Sequence, residues 1–353
     1  KLWWFLNCKC FNIIRNNFEF NEEKNELLEM KKKILISTGG SGGHVIPAIT
    51  IYDHLKNDYD VAISTDVRGF RYLNNENYKT FLIDTPRLNR LIYIPFSILV
   101  IFFLTIKSLL LFKREKINIL ISTGGYMSLP LCLAAKVLKI KIFLLEPNMI
   151  IGRANKFFLN ICEKIICYDN NIINFPKKFI NKLIVLTPLL RKKYYERNNN
   201  LKIDKKFTVI VIGGSQGAKI FDELLHKTFI KISKIKPLKV IHQTNEANIN
   251  TLKNLYLKNK VENIVFEFDQ NLYRLLSQAD LCITRAGASS LAEIASLKLP
   301  FIAIPLPTSK DNHQFQNAKY YEKKNCCWII DQNNFNQLKL EDLLLDILKN
   351  GDD

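Results

Sequence analysis

The stretch Ile34-Leu35-Ile36-Ser37-Thr38-Gly39-Gly40-Ser41-Gly42-Gly43-His44-Val45-Ile46-Pro47 decides the fold of this chain. Its apolar start predicts a buried strand, its glycines a tight turn, and the segment through Pro47 to Leu55 a helix. Strand, glycine turn and helix in that order begin a βαβ unit, the element of parallel sheets. Glycines at such a junction let the backbone approach a ligand, and the helix start then offers unpaired N–H groups to an anion. The turn lacks the Lys-Ser/Thr of a P-loop, and Val45 stands where a dinucleotide motif has its third glycine, so ATP hydrolysis and dinucleotide binding are disfavoured. His44 either caps the helix or, facing a phosphate, draws a proton from an acceptor hydroxyl, imidazole being the side-chain base that titrates nearest neutrality.

Outward from this unit the pattern repeats. Strands are predicted at Val61 to Ser64, Ile117 to Ser122 and Ile140 to Leu145, the second running into Thr123-Gly124-Gly125 and the third ending at Glu146-Pro147-Asn148. The pattern restarts at Phe207 to Ile212, followed by Gly213-Gly214-Ser215-Gln216-Gly217-Ala218 and a helix from Ile220. Further strands are predicted at Leu238 to His242, Ile264 to Phe266, Leu281 to Thr284 and Phe301 to Pro305, with a helix from Ser289 to Leu297. The chain of 353 residues therefore reads as two α/β, Rossmann-like domains in tandem, 31–188 and 189–353, joined by the Lys/Asn-rich segment near 186–206. Two such domains facing each other would leave a cleft lined by glycine turns from both. Residues 1–30 show no pattern of a fold, and Met30, ahead of Lys31-Lys32-Lys33, is the expected natural start.

Composition bounds the partners. The formal charge of +18 suits anionic lipid, nucleic acid or phosphorylated substrates, and an AT-rich genome would give the same Lys and Asn excess. No basic-aromatic motif supports nucleic acid, so that class ranks last. The eight cysteines form no CxxC pair and no zinc spacing, which favours a reducing cytosol and no structural metal. Leu91 to Ile106 is sixteen residues without a charge, broken by Pro95 and flanked by Arg87, Arg90, Lys107, Lys113 and Arg114. It falls short of the about twenty residues of a transmembrane helix. A buried crossover helix and a helix laying one face on a bilayer surface both remain open.

Three further segments carry chemistry. The turns Gly213 to Ala218 and Arg285-Ala286-Gly287-Ala288 each feed a helix, and two helix N-termini converging on a diphosphate would stabilise a nucleotide leaving group without metal. Glu293 either accepts hydrogen bonds from ribose hydroxyls or merely places charge near a helix start. Asp311-Asn312-His313-Gln314-Phe315-Gln316-Asn317 offers directional amides suited to sugar hydroxyls, although alone it would pass for an ordinary loop. The sole DxD, Asp58-Tyr59-Asp60, is read as a solvated turn, so no metal-dependent transferase site is supported.

Together these segments resemble the MurG family. Gly39 to Ala48, Gly124-Gly125-Tyr126-Met127-Ser128-Leu129-Pro130, Glu146-Pro147-Asn148 and Gly152 to Lys156 are similar to its N-terminal motifs. Gly213 to Ala218, His242-Gln243, Ala279-Asp280, Arg285 to Ala288, Glu293 to Ala295 and Gln314 to Ala318 match in order, so the likeness covers roughly Lys32 to Asp331. The resemblance implies a GT-B fold and inverting transfer of N-acetylglucosamine from UDP-N-acetylglucosamine to the 4-hydroxyl of lipid I, the undecaprenyl-pyrophosphoryl muramyl-peptide, giving lipid II. It implies work at the cytoplasmic face of the bacterial inner membrane, with cell-wall or division proteins as partners and no cofactor or metal. Gly40, Ser41, Gly42, Gly43, Gly124, Gly125, Tyr126 and Asn148 would hold the acceptor, with His44 and Glu146 as catalytic candidates. Arg191, Ser215, Gln216, Gly217, Arg285, Gly287, Ala288, Glu293, Gln314 and Asn317 would hold the donor.

The chain departs from the family at His313, usually glutamine, at Leu145, usually histidine, and around Arg191, whose assignment needs a one-residue insertion. The family also implies a last helix beyond the helix-like run Leu340 to Leu348. Three rival classes remain: a diacylglycerol glycosyltransferase, a UDP-N-acetylglucosamine epimerase of the same fold, and a non-catalytic scaffold of the division machinery. The apolar stretch 91–106 speaks against the epimerase, whose substrate is soluble.

Overall fold

In a computed structural model of the protein the described residues are 31–73, 78–86, 94–195, 206–214, 219–267, 269 and 271–350. The expectations for residues 1–30, Arg87, Arg90, Ser215, Gln216 and Gly217 fall outside them. The chain divides between Tyr195 and Glu196 into two compact units.

The first unit runs β1 (Lys33–Ser37), α1 (Gly42–Leu55), β2 (Asp60–Thr65), α2 (Val67–Phe70), β3 (Thr80–Leu82), α3 (Ile94–Glu115) and β4 (Ile119–Ser122). It continues with α4 (Leu129–Val137), β5 (Lys141–Glu146), α5 (Arg153–Phe158), β6 (Lys164–Cys167) and β7 (Leu183–Val185). The second holds β8 (Phe207–Ile212), α6 (Lys219–Ser233), β9 (Leu238–Gln243), α7 (Glu246–Lys258), β10 (Glu262–Phe266), α8 (Leu272–Leu276) and β11 (Leu281–Thr284). It closes with α9 (Ala288–Ser296), β12 (Phe301–Ala303), α10 (His313–Glu322), β13 (Cys327–Ile329) and α11 (Gln337–Asn350).

The first sheet is ordered β3-β2-β1-β4-β5-β6-β7 and the second β10-β9-β8-β11-β12-β13, with every pair parallel. Both are therefore doubly wound, the order reversing between β1 and β4 and again between β8 and β11. The strands read as continuous apolar runs because helices cover both faces, and Leu35, paired with Ala62 and Leu120, is wholly buried. The four glycine turns follow β1, β4, β8 and β11, so each sheet presents two of them at its switch point.

The structure adjusts several expectations. Strands β3, β6, β7 and β13, of three or four residues each, were not foreseen. Asp60 is not a turn residue but the first of β2, paired with Lys33 at 3.4 Å. The boundary expected at 188/189 lies after Tyr195, because the 189–195 segment clasps α1: the Leu190 carbonyl bonds His54 Nε2 at 3.0 Å and the Tyr195 ring meets the His54 ring edge-on. Arg191 therefore belongs to the first unit, its guanidinium over the Tyr194 ring.

Residues 94–106 of the apolar stretch lie in α3, and 91–93 fall outside the described residues. As the crossover from β3 to β4 this helix packs on α4 and buries Ile101, Ser108, Leu111 and Phe112. On its other side Phe96, Leu99, Phe103, Ile106 and Leu110 stand exposed, spaced along one stripe of the helix. By length and composition the segment Phe96–Glu115 is also long and apolar enough to cross a membrane.

Candidate functional site

In the first unit the switch point brings the first two glycine turns together. Helix α1 starts behind Ser41, which gives it no side-chain cap, and no acidic residue stands in its first turn. Apart from the His44 N–H, which donates to the Ser41 carbonyl at 3.0 Å, the first-turn N–H groups therefore keep their partial positive charge for an outside anion. Gly125, at φ +81°, turns the chain against the His44 ring, and a Cβ there would lie 3.6 Å from Nε2. His44 Nδ1 bonds the Thr123 carbonyl at 2.8 Å. A carbonyl only accepts, so Nδ1 carries a proton, and in the neutral ring Nε2 holds the lone pair. His44 thus has its orientation and tautomer fixed from β4 while Nε2 has no hydrogen-bond partner among the described residues.

Glu146, at the end of β5, is only 2% exposed. Its Oε1 accepts from the Asn148 amide and side chain at 3.2 and 3.0 Å, and its Oε2 from Gly152 N at 2.7 Å and Asn155 Nδ2 at 3.0 Å. Both oxygens of this catalytic candidate therefore accept hydrogen bonds from the turn that follows β5. Asn148 is likewise drawn into this turn. Asn155 continues the chain of contacts, since a Cβ on Gly124 would meet its Nδ2 at 3.3 Å.

Asp66 and Arg68, which no sequence motif marks, follow β2 at the same end of the sheet. Asp66 Oδ1 accepts from Gly40 N and Gly69 N, both at 2.8 Å, and Oδ2 binds the Arg68 guanidinium at 3.0 Å. Burial alone would raise the Asp66 pKa, but the two amides and Arg68 outweigh it and hold the carboxyl below its usual range. Arg68 also donates to the Tyr126 hydroxyl, so Tyr126 is tied to the first glycine turn. The available signal was positional: any residue just past the C-terminal end of a strand flanking the switch point lines the same crevice.

In the second unit Gly214 has φ +85° and open space where a side chain would stand. Gly287 precedes α9 without a side-chain cap, Ala288 is the first helical residue, and no acid stands in the first turn. The Arg285 side chain makes its contacts within its own unit. It is 9% exposed, its Nη1 donates to the Ile304 and Pro305 carbonyls at 2.9 and 3.3 Å, and its guanidinium lies 4.7 Å from the Phe221 ring centre. The guanidinium is turned inward as a brace, and burial lowers its pKa. Glu293 lies in the second turn of α9 and is also buried.

Gln314 and Asn317, one turn apart on α10, both reach the turn after β11. Gln314 Oε1 accepts from Ala286 N at 3.3 Å and Leu306 N at 2.9 Å, and Asn317 Nδ2 donates to the Ala286 carbonyl at 3.1 Å. The Gln314 amide nitrogen has no partner among the described residues. His313 bonds back to the Lys310 carbonyl at 2.8 Å, after Asp311 and Asn312 in the left-handed region.

Two doubly wound sheets in tandem, each with glycine turns at its switch point, are the two domains of a GT-B fold, and the family models make the chain a glycosyltransferase. Residues 34–167 match the glycosyltransferase family 28 N-terminal domain and residues 208–353 the family 28 C-terminal domain. A protein of Pelagibacter ubique (strain HTCC1062), named UDP-N-acetylglucosamine–N-acetylmuramyl-(pentapeptide) pyrophosphoryl-undecaprenol N-acetylglucosamine transferase, is 47% identical over 325 residues, covering 92% of this chain and 91% of its own. The crystal structure of Acinetobacter baumannii MurG superposes with a TM-score of 0.71 at 26% identity, over 90% of each chain. The UDP-GlcNAc 2-epimerase of Neisseria meningitidis, bound to UDP-GlcNAc, shares the fold alone: TM-score 0.60 and 13% identity over 90% of this chain and 91% of that one. The chain belongs to glycosyltransferase family 28, within its MurG group. The epimerase and diacylglycerol alternatives are not favoured.

Proposed function

We propose that this chain transfers N-acetylglucosamine from UDP-N-acetylglucosamine to the N-acetylmuramyl unit of the undecaprenyl-pyrophosphoryl acceptor, lipid I, forming lipid II. The observation that carries it is the 47% identity, over nine-tenths of both chains, to a relative bearing that name. The acceptor's 4-hydroxyl gives its proton to His44 Nε2 as its oxygen attacks the anomeric carbon from the face opposite the phosphate. The bond from that carbon to the UDP oxygen breaks, UDP departs and the configuration inverts. The partial positive charge at the uncapped start of α9 favours the diphosphate as it gains charge. Acceptor groups are held by the turns around Gly40–Gly43 and Gly124–Tyr126, and the donor by 213–217, Gly287, Ala288, Glu293, Gln314 and Asn317 of the second unit. Arg191 is a further donor-side candidate through its resemblance to the family's diphosphate-contacting arginine.

The enzyme works without a metal ion, its leaving group stabilised by backbone dipoles instead. It sits on the cytoplasmic face of the inner membrane with the exposed stripe of α3 in the lipid and Lys107, Lys113 and Arg114 toward anionic head groups. Its product feeds peptidoglycan, and so cell shape and division, where cell-wall or division proteins are its partners.

Incubation of the purified chain with UDP-N-acetylglucosamine and a short-chain lipid I analogue, in detergent and with EDTA, tests this. A β-linked disaccharide product is expected. Product only after adding a divalent cation would overturn metal independence, and no product under either condition would overturn the acceptor assignment.

A further inference from the structure

A pyrophosphate carries at least two negative charges, and holding it calls for a cation as well as N–H groups. Neither glycine segment of the first unit supplies one: residues 38–47 and 123–130 contain no Lys or Arg. The fold brings one from elsewhere. Arg68, in α2, reaches both segments, with its Nη2 placed 3.4 Å from where a Gly40 Cβ would be and its guanidinium over the Tyr126 ring at 5.9 Å. Its side chain keeps 38% of its surface exposed, and Nη1 makes no hydrogen bond among the described residues.

We propose that Arg68 is the acceptor-side diphosphate ligand, presented by Asp66, an assignment that rests on the lipid-linked acceptor proposed above. Asp66 is the positioning residue. One carboxylate oxygen pins the Gly40 amide and the start of α2, while the other fixes the Arg68 fork. Rotation of the guanidinium is thereby stopped, and its free edge stays beside the turn in which Gly40 adopts φ +82°. A phosphate oxygen at that edge would take a charge-assisted hydrogen bond from Nη1, with the guanidinium still neutralised on its other side by Asp66. Arginine suits this task because its planar fork binds carboxylate and phosphate at once. A lysine would offer a single point charge.

If Arg68 served only to neutralise the buried carboxylate, its removal would cost stability and leave substrate affinity alone. Steady-state kinetics of the full chain, with UDP-N-acetylglucosamine and the short-chain lipid I analogue each varied in turn, separate the two roles. For Arg68→Met we expect the KM for the lipid I analogue to rise about ten- to hundredfold, the range of a lost hydrogen bond to a charged group. The KM for UDP-N-acetylglucosamine should stay within about twofold, and Arg68→Lys should restore part of the acceptor affinity. A second acceptor analogue carrying one phosphate in place of two should be penalised in the wild type and hardly further in Arg68→Met.

An unchanged acceptor KM in Arg68→Met would overturn the proposal. So would an equal rise in both KM values, or a kcat loss matched by the loss of folded protein in a thermal melt. If the wild type itself makes no disaccharide, the acceptor assignment fails first and takes this proposal with it; if the wild type transfers normally and Arg68→Met does so with unchanged KM, only the role of Arg68 falls.

Discussion

His44 Nδ1 and the Thr123 carbonyl lie 2.8 Å apart, joining the start of α1 to the end of β4 across the switch point of the first sheet. The bond spans 79 residues of sequence and decides which imidazole nitrogen is basic. Replacing His44 by alanine should lower kcat by about 10²–10⁴-fold, the usual contribution of a general base. UDP affinity, measured by calorimetry, should remain close to wild type, since the proposed donor residues of α9 and α10 lie in the other unit. Equal losses in both would make His44 a structural cap.

Glu146 invites the opposite outcome. Glu146→Gln replaces one acceptor oxygen with an NH2 that faces donors on every side, namely Gly152 N, Asn155 Nδ2 and the Asn148 groups. Stability should fall by about 1–3 kcal/mol, read from urea denaturation, while kcat per folded molecule stays within an order of magnitude. A stable variant with no turnover would place Glu146 in the catalytic set.

Gly40 holds φ +82°, and alanine there is strained by about 1–2 kcal/mol before any contact is counted. The added methyl also approaches Arg68 Nη2 at 3.4 Å. Gly40→Ala should lower the melting temperature and raise the acceptor KM with little change in the donor KM. A variant indistinguishable from wild type in both would show that the turn tolerates another conformation.

Stability should also decline on mild acidification. His242 is fully buried, and burial lowers its pKa more than Asp222, 3.3 Å away, raises it. The unfolded chain, with its histidine near 6.5, therefore takes up the proton first, and stability is lost as pH falls below about 6.5. His54, lowered chiefly by burial, acts in the same sense in the first unit. Melting curves at pH 7.5 and 5.5 should show a larger drop for the wild type than for His242→Gln, and the smallest for His242→Gln with His54→Gln. A drop identical in all three would place the titrating groups elsewhere.

The exposed stripe of α3 leaves unrealised about 1.5–3 kcal/mol of burial per large apolar side chain. Replacing Phe96, Phe103 and Leu110 by serine should weaken sedimentation with anionic vesicles at least tenfold without lowering the melting temperature, because none of the three is in the core. Unchanged vesicle binding would assign the stripe to a protein partner instead.

The sequence by itself determined the two α/β domains, the position of all four glycine turns and the family, because parallel strands buried on both faces write themselves as apolar runs and glycine marks where they turn. It also singled out His44, Gln314 and Asn317, each of which lies on a helix and bonds to a strand-end turn. Only the tertiary structure decided which groups are occupied. Glu146 and Arg285 are catalytic and donor-site candidates in the sequence; in the fold one accepts hydrogen bonds from a turn and the other faces an aromatic ring and two carbonyls. Arg68 and Asp66 carry no motif at all and matter through contacts with residues 26 and 58 positions away. Local pattern records which backbone an element prefers, whereas the partners of a side chain are set by sheet order, which brings distant strand ends side by side.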